Sequence, residues 1–194
     1  KEHLFYPFVD DWIESGNNRI VVPGLGAYQM VELGWSRQDI LNQVNYTRRK
    51  TVSGQAYFRA DNVLSNTKGI LHSLQAYYRY PAKLPPMTWL SKTTPQQPTD
   101  IRAEKLPNGK FQLKWEKNRQ NPRVTYNVYR TETDDFNTNK GENLLVVGLR
   151  EPVFEYNVAE KDKAYYYFVT VSDSYHNESD ISVPAFFFHS DIVK

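Results

Sequence analysis

Four side chains stand just beyond two short apolar runs, where a folded chain can hold a ligand. Tyr28 follows Gly24-Leu25-Gly26. The two glycines let backbone approach a ligand closely, and the aromatic face can stack on a sugar ring. The competing reading of Tyr28 is a packed loop tyrosine. Arg59, Asp61 and Asn62 follow the run Gln55-Ala56-Tyr57-Phe58. Arg59 suits a sugar hydroxyl, a carboxylate or an internal acid. Asp61 is a candidate for acid–base work, with helix capping and contact to a substrate hydroxyl as its alternatives. Asn62 follows it.

Other chemistries find little support. The chain has no cysteine, which removes disulfides, thiolate metal sites and cysteine nucleophiles together. His3, His72, His176 and His189 are far apart and show no metal-ligand spacing, so no metal is expected. Asp10-Asp11 falls within a helical pattern and reads as a solvated face. Gly24-x-Gly26 lacks the third glycine of a dinucleotide fingerprint because position 29 is Gln, and no cofactor is expected. The net charge of +2 argues against a nucleic-acid partner. No apolar run approaches the roughly 20 residues of a membrane-spanning helix. The sequence starts at Lys1 and reads as a piece of a longer chain.

Two regions with different patterning must position these residues. Ser91 to Thr99 is polar, holds two prolines and reads as a linker, with the boundary at Pro95. Residues 1–95 hold 11 basic and 7 acidic residues, a charge of +4, and residues 96–194 carry −2. In the first region Leu4, Phe5, Phe8, Val9, Trp12 and Ile13 recur at helical spacing until Gly16-Asn17-Asn18. Ile20-Val21-Val22 predicts a buried strand closed by Pro23-Gly24. Ser36 and Asp39 have capping-box spacing ahead of a helix with Ile40, Leu41, Val44 and Thr47 inward. Gln55–Phe58 predicts a second strand, and Lys68–Tyr78 a third helix. Two parallel strands with three amphipathic helices look like the end of a larger α/β domain, most economically a (β/α)8 barrel, with a doubly wound sheet as the alternative. Such a remnant exposes a large apolar surface unless it packs on another segment or a second chain.

The second region alternates with period two. Ile101–Glu104, Phe111–Trp115, Val124–Arg130, Leu144–Val147, Val153–Tyr156, Tyr165–Ser172 and Ile181–Val183 read as seven strands, with Asn108-Gly109 as a turn. Seven short strands over about a hundred residues predict a β-sandwich. Tyr166 and Phe168 are expected to face outward, and Ala185–Phe188 to extend the last strand or dock elsewhere.

Residues 98–184 resemble a fibronectin type III domain through Pro98, Trp115, Tyr126-Asn127-Val128-Tyr129-Arg130 and Tyr165–Val171. Residues 2–90 resemble the end of the catalytic barrel of glycosyl-hydrolase-like family 10, the YddW-type bacterial lipoproteins. The matching stretches are Phe5–Trp12, Val22–Tyr28, Gly34-Trp35 and Ser53–Asn62. The resemblance implies a mixed fold: the last two strand–helix units of a (β/α)8 barrel in residues 1–95, then a fibronectin type III-like sandwich in 96–194. Ile20–Val22 would be barrel strand seven and Gln55–Phe58 strand eight.

It also implies a secreted or lipid-anchored, extracytoplasmic glycoside hydrolase acting on glycan strands, peptidoglycan among them. Glycoside hydrolysis uses two carboxyl groups flanking the scissile bond. Only Asp61 lies beside an expected strand end, so the catalytic acids are expected upstream, in a missing N-terminal barrel segment. Tyr28, Arg59, Asp61 and Asn62 then form a substrate-binding rim, and this fragment alone is expected to be inactive. The alternative is a non-catalytic module that binds a carbohydrate or a surface.

Overall fold

Two three-residue strands, β1 (Gly24–Gly26) and β2 (Ala56–Phe58), run parallel in the first half of the computed structural model, pairing Gly24 with Ala56, Leu25 with Tyr57 and Gly26 with Phe58. The structure describes residues 5–50, 52–134, 136–157 and 162–189, so the expectations for His3 and Leu4 lie outside the described residues. Helices α1 (Phe5–Ser15), α2 (Gln29–Glu32), α3 (Arg37–Arg49), α4 (Ala60–Leu64) and α5 (Ile70–Tyr77) complete this half. The first strand lies beyond the expected Ile20–Val22. Ile20 and Val22 are exposed, and the ladder forms instead at Gly24–Gly26. A β-branched run favours extended backbone locally, but pairing partners decide where a strand forms.

Strand alternation gives this small sheet two different faces. Leu25 is fully buried and Tyr57 packs against the same cluster, with Met30, Ile40, Val44, Ile70 and Leu74. The opposite face presents Gly24, Gly26, Ala56 and Phe58, and Phe58 is 61% exposed. On α1 only Val9 is buried, while Phe8 and Trp12 stack on each other in solvent, ring centroids 6.3 Å apart.

Helix α3 begins as its sequence dictates. The Ser36 side chain accepts from the Asp39 backbone N–H, and Asp39 Oδ2 accepts from the Ser36 N–H at 2.7 Å. Its inward residues are the expected Ile40, Leu41, Val44 and Thr47. Tyr46 donates to Asp10 Oδ2 at 2.6 Å, and Lys50 pairs with Asp10 Oδ1 at 2.9 Å, tying α3 to α1. The hydrogen bond from Tyr46, aided by Lys50, holds the Asp10 carboxyl below its usual range.

The second half is a sandwich of two antiparallel sheets. Strands β3 (Arg102–Lys105), β4 (Phe111–Lys114) and β7 (Val153–Tyr156) form one, in the order β3-β4-β7. Strands β5 (Thr125–Thr131), β6 (Leu144–Leu149), β8 (Lys163–Ser172) and β9 (Ala185–His189) form the other, in the order β6-β5-β8-β9. This three-plus-four arrangement is fibronectin type III-like. The core joins Phe111, Leu113 and Trp115 to Tyr126, Val128, Tyr165, Tyr167, Val169 and Val171. Each such side chain contributes roughly 1.5–3 kcal/mol by leaving water.

Three details differ from expectation. Ile181–Val183 is not a strand, although Ser182 still donates its N–H to Val169 O at 3.0 Å; the last strand is Ala185–His189. Tyr166 faces outward and meets Phe186 at 5.1 Å, but Phe168 is buried beneath Phe136, rings stacked at 4.4 Å. The chain divides between Arg79 and Tyr80, not at Pro95. Residues 80–95 lack regular structure, yet hydrogen bonds fasten them to the sandwich. Met87 N donates to Tyr175 O at 2.8 Å, and Asn177 Nδ2 to Ser91 O at 3.2 Å.

Candidate functional site

The carboxyl ends of β1 and β2 bring Tyr28 and Arg59 together. Parallel pairing makes both strands end on the same side, so the residues after Gly26 and Phe58 become neighbours. Tyr28 N donates to Phe58 O at 3.1 Å, which extends the ladder by one bond. The Tyr28 and Phe58 rings meet edge to face at 5.6 Å. The Arg59 guanidinium lies 5.7 Å from the centroid of each ring. The Phe58–Arg59 peptide is cis. Gly26 permits this crowding, because a Cβ there would lie 2.5 Å from Gln29 Nε2 and 3.1 Å from the Tyr28 ring.

Arg59 also finds an acid. Its Nη2 donates to Glu32 Oε1 at 2.7 Å, and both side chains remain substantially exposed. Glu32 ends α2, the short helix that starts directly after Tyr28. Sequence reasoning assigned neither Glu32 nor Phe58 to the rim. The available signal was Glu32 as the first carboxylate beyond the first strand. A bidentate-capable cation flanked by two rings and one carboxylate can hold hydroxyl or carboxylate oxygens of a ligand while an aromatic face takes its apolar side.

Asp61 and Asn62 occupy the adjoining turn. The N-cap of α4 is Arg59, without a side-chain cap bond, and Asp61 stands in the helix's first turn, exposed. No contact among the described residues joins its carboxylate to the Tyr28–Arg59 group. Asn62 N donates to Arg59 O at 3.1 Å. Asn62 Oδ1 is buried and has no hydrogen-bond partner among the described residues. A buried acceptor of this kind normally has a donor. Trp35 packs against the α/β cluster just ahead of the Ser36 cap, and its carbonyl accepts from Lys68 Nζ at 2.6 Å. Among the described residues, no group of three or more His, Cys, Asp or Glu could hold a metal ion. No described helix is long and apolar enough to cross a membrane.

No protein-family model matches the chain. It is 30% identical over 188 residues to Glycosyl hydrolase YngK of Bacillus subtilis (strain 168). That alignment takes in 89% of this chain and 36% of the relative, so the chain spans about a third of the relative's length. Solved structures with some likeness include a Fn3-like protein from Clostridium thermocellum, 19% identical, covering 48% of this chain and 92% of that one with a TM-score of 0.39. The FN1-FN3 domains of chicken CNTN1 are 15% identical and cover 50% of this chain and 32% of that one, with a TM-score of 0.41. The chain is thus similar, across nearly its whole length, to part of a glycosyl hydrolase.

Proposed function

We propose that this chain is part of a glycoside hydrolase of the family 10-like, YddW type. In this reading the α/β unit is the last two strand–helix units of a (β/α)8 barrel, and the sandwich is an accessory domain. The carrying observation is the convergence of Tyr28, Phe58 and Arg59 at the carboxyl ends of two parallel strands. Active sites of such barrels sit at that end. The bare face of Gly24, Gly26, Ala56 and Phe58 supports the same reading, because barrel strands bury that face against one another. Likeness to a longer glycosyl hydrolase, 36% of which the alignment takes in, is consistent with further strands elsewhere in the parent.

Tyr28, Arg59, Asp61 and Asn62, joined by Glu32 and Phe58, line the substrate-binding rim. The substrate is a glycan strand, peptidoglycan among the candidates, and the protein works outside the cytoplasm. The paired carboxylates that cleave the bond come from earlier strands. The test is hydrolysis by the full-length parent of denuded peptidoglycan strands and of other polysaccharides. Cleavage by the parent, its loss on removing two upstream strand-end carboxylates, and no cleavage by this 194-residue chain alone are expected. A parent that binds glycan but cleaves none, with no upstream carboxylate pair, overturns the reading in favour of a binding module.

A further inference from the structure

The outer face of the four-stranded sheet carries an open cleft of about 220 Å3. Leu84 and Pro86 of the 80–95 segment form one wall, and Val147 and Gly148 of β6 form another. Its floor is polar. Asn127, 3% exposed, donates through Nδ2 to Ser172 Oγ at 2.9 Å, Glu178 Oε1 at 3.1 Å and Thr170 Oγ1 at 3.2 Å. Its Oδ1 accepts from Gly148 N at 3.3 Å. Glu178 Oε1 also accepts from Tyr129 at 2.5 Å and Thr170 at 2.6 Å, and Oε2 accepts from Lys83 at 2.5 Å.

This network fixes the floor and leaves specific groups for a guest. Asn127 Nδ2 and Glu178 Oε1 are fully engaged. Among the described residues the Ser172 hydroxyl hydrogen and His176 Nε2 have no hydrogen-bond partner, and Lys83 makes one hydrogen bond, to Glu178, with its ammonium 5.5 Å from the Tyr129 ring centre. His176 Nδ1 lies 3.3 Å from Pro85 O. Lys83 and Glu178 neutralise each other, so the cleft favours neither an anion nor a cation. Its volume holds about seven waters at roughly 30 Å3 each. That is below the roughly 300–1,000 Å3 of sites for larger ligands. Apolar walls over a floor of donors and acceptors match the C–H face and the hydroxyl-bearing edge of one sugar ring.

We propose that this cleft binds a single neutral pyranose unit, such as the end of a glycan chain. The choice of a sugar over other small polyols rests on the hydrolase reading; the cleft itself does not. The test is titration of the 194-residue chain with glucose and N-acetylglucosamine, followed by amide NMR, with glycerol and acetate as controls. Saturable shifts at the Asn127 side-chain amide and at Gly148 are expected with a sugar. Ser172→Leu, which fills the cleft, is expected to weaken binding at least tenfold. Leu84→Arg alters the exposed wall without touching the sheet, and is expected to do the same should Ser172→Leu fail to fold.

No shift with either sugar overturns the proposal. So does an equal response to glycerol, which marks a solvent cavity, or a response to acetate alone, which marks an anion site. Sugar shifts unchanged by Leu84→Arg overturn it as well. A parent that cleaves glycan while this cleft binds no sugar refutes only the cleft. Sugar binding here, with a parent that cleaves nothing, refutes only the hydrolase reading.

Discussion

Lys83 Nζ and Glu178 Oε2 lie 2.5 Å apart, although 95 positions separate them in sequence. Both side chains are mostly shielded, and the Lys83 ammonium also sits 5.5 Å from the centre of the Tyr129 ring. Burial pushes the Glu178 carboxyl up, but hydrogen bonds from Lys83, Thr170 and Tyr129 outweigh it and hold the group below its usual range. The pair anchors the start of the 80–95 segment to the sandwich.

Removing one partner leaves the other shielded and unpaired, which costs more than the pair itself contributes. Lys83→Ala is expected to lower stability by about 1–3 kcal/mol. Chemical denaturation of the sandwich transition measures it. Because the folded carboxyl is depressed, its stabilisation is present above the unfolded value near 4.5 and is lost as pH falls through the folded value. Lys83→Ala should flatten that acid limb, and an unchanged limb would show that the pair does not set it.

His189 predicts a separate pH effect. Its Nε2 and the Tyr167 hydroxyl share a hydrogen bond of 2.6 Å inside the core. Burial first, then the charges of Arg130 and Lys105, push it down from 6.5 to about 4. The unfolded chain therefore takes up a proton between those values while the folded chain does not, and stability falls as pH drops from 6.5 towards 4. His189→Asn is expected to be less stable at pH 7 but flatter across this window. A parallel decline in both proteins would refute the assignment.

Legibility depended on how local the deciding contact is. Ser36 and Asp39 are three positions apart, so their reciprocal bonds could be read as spacing. The alternation of Phe111, Leu113 and Trp115 gave a core face directly. Gly24-Leu25-Gly26 carries no strand propensity, since two glycines flank one leucine, and only its pairing with Ala56–Phe58 makes it a strand. Strand parity correctly turns Phe168 away from the main core, but it cannot foresee Phe136 folding over it. Tyr28 and Arg59 were readable as strand-end residues. Glu32, 27 positions from Arg59, was not readable as its partner. The prolines near residue 95 suggested a linker, while the contacts of residues 80–95 with Tyr175, Asn177 and Glu178 are all distant in sequence.

The capping box at α3 offers a local stability test. Ser36→Ala removes the acceptor for the Asp39 N–H and one partner of the Asp39 carboxylate. A loss of about 1 kcal/mol is expected. Ser36→Asp should restore most of it. Thermal or urea unfolding of the α/β unit reads both, and equal stability of Ser36→Ala and the parent sequence would refute the cap's contribution.

Arg59 separates binding from stability. Its ion pair with Glu32 is exposed on both sides, at 56% and 44% of side-chain area, so Arg59→Ala should change stability by less than about 1 kcal/mol. In the proposed rim the same guanidinium meets substrate oxygens, and losing a hydrogen bond to a charged group costs roughly 1.5–3 kcal/mol. That corresponds to a fall in kcat/KM of about tenfold or more in the full-length parent. Glu32→Gln keeps the guanidinium between Tyr28 and Phe58 while removing its counter-charge, so it should retain more activity than Arg59→Ala. It should also bind carboxylated glycans better than neutral ones, relative to the parent sequence. Arg59→Ala with full kcat/KM, or with a collapsed melting transition, would remove Arg59 from the rim and return it to a structural ion pair.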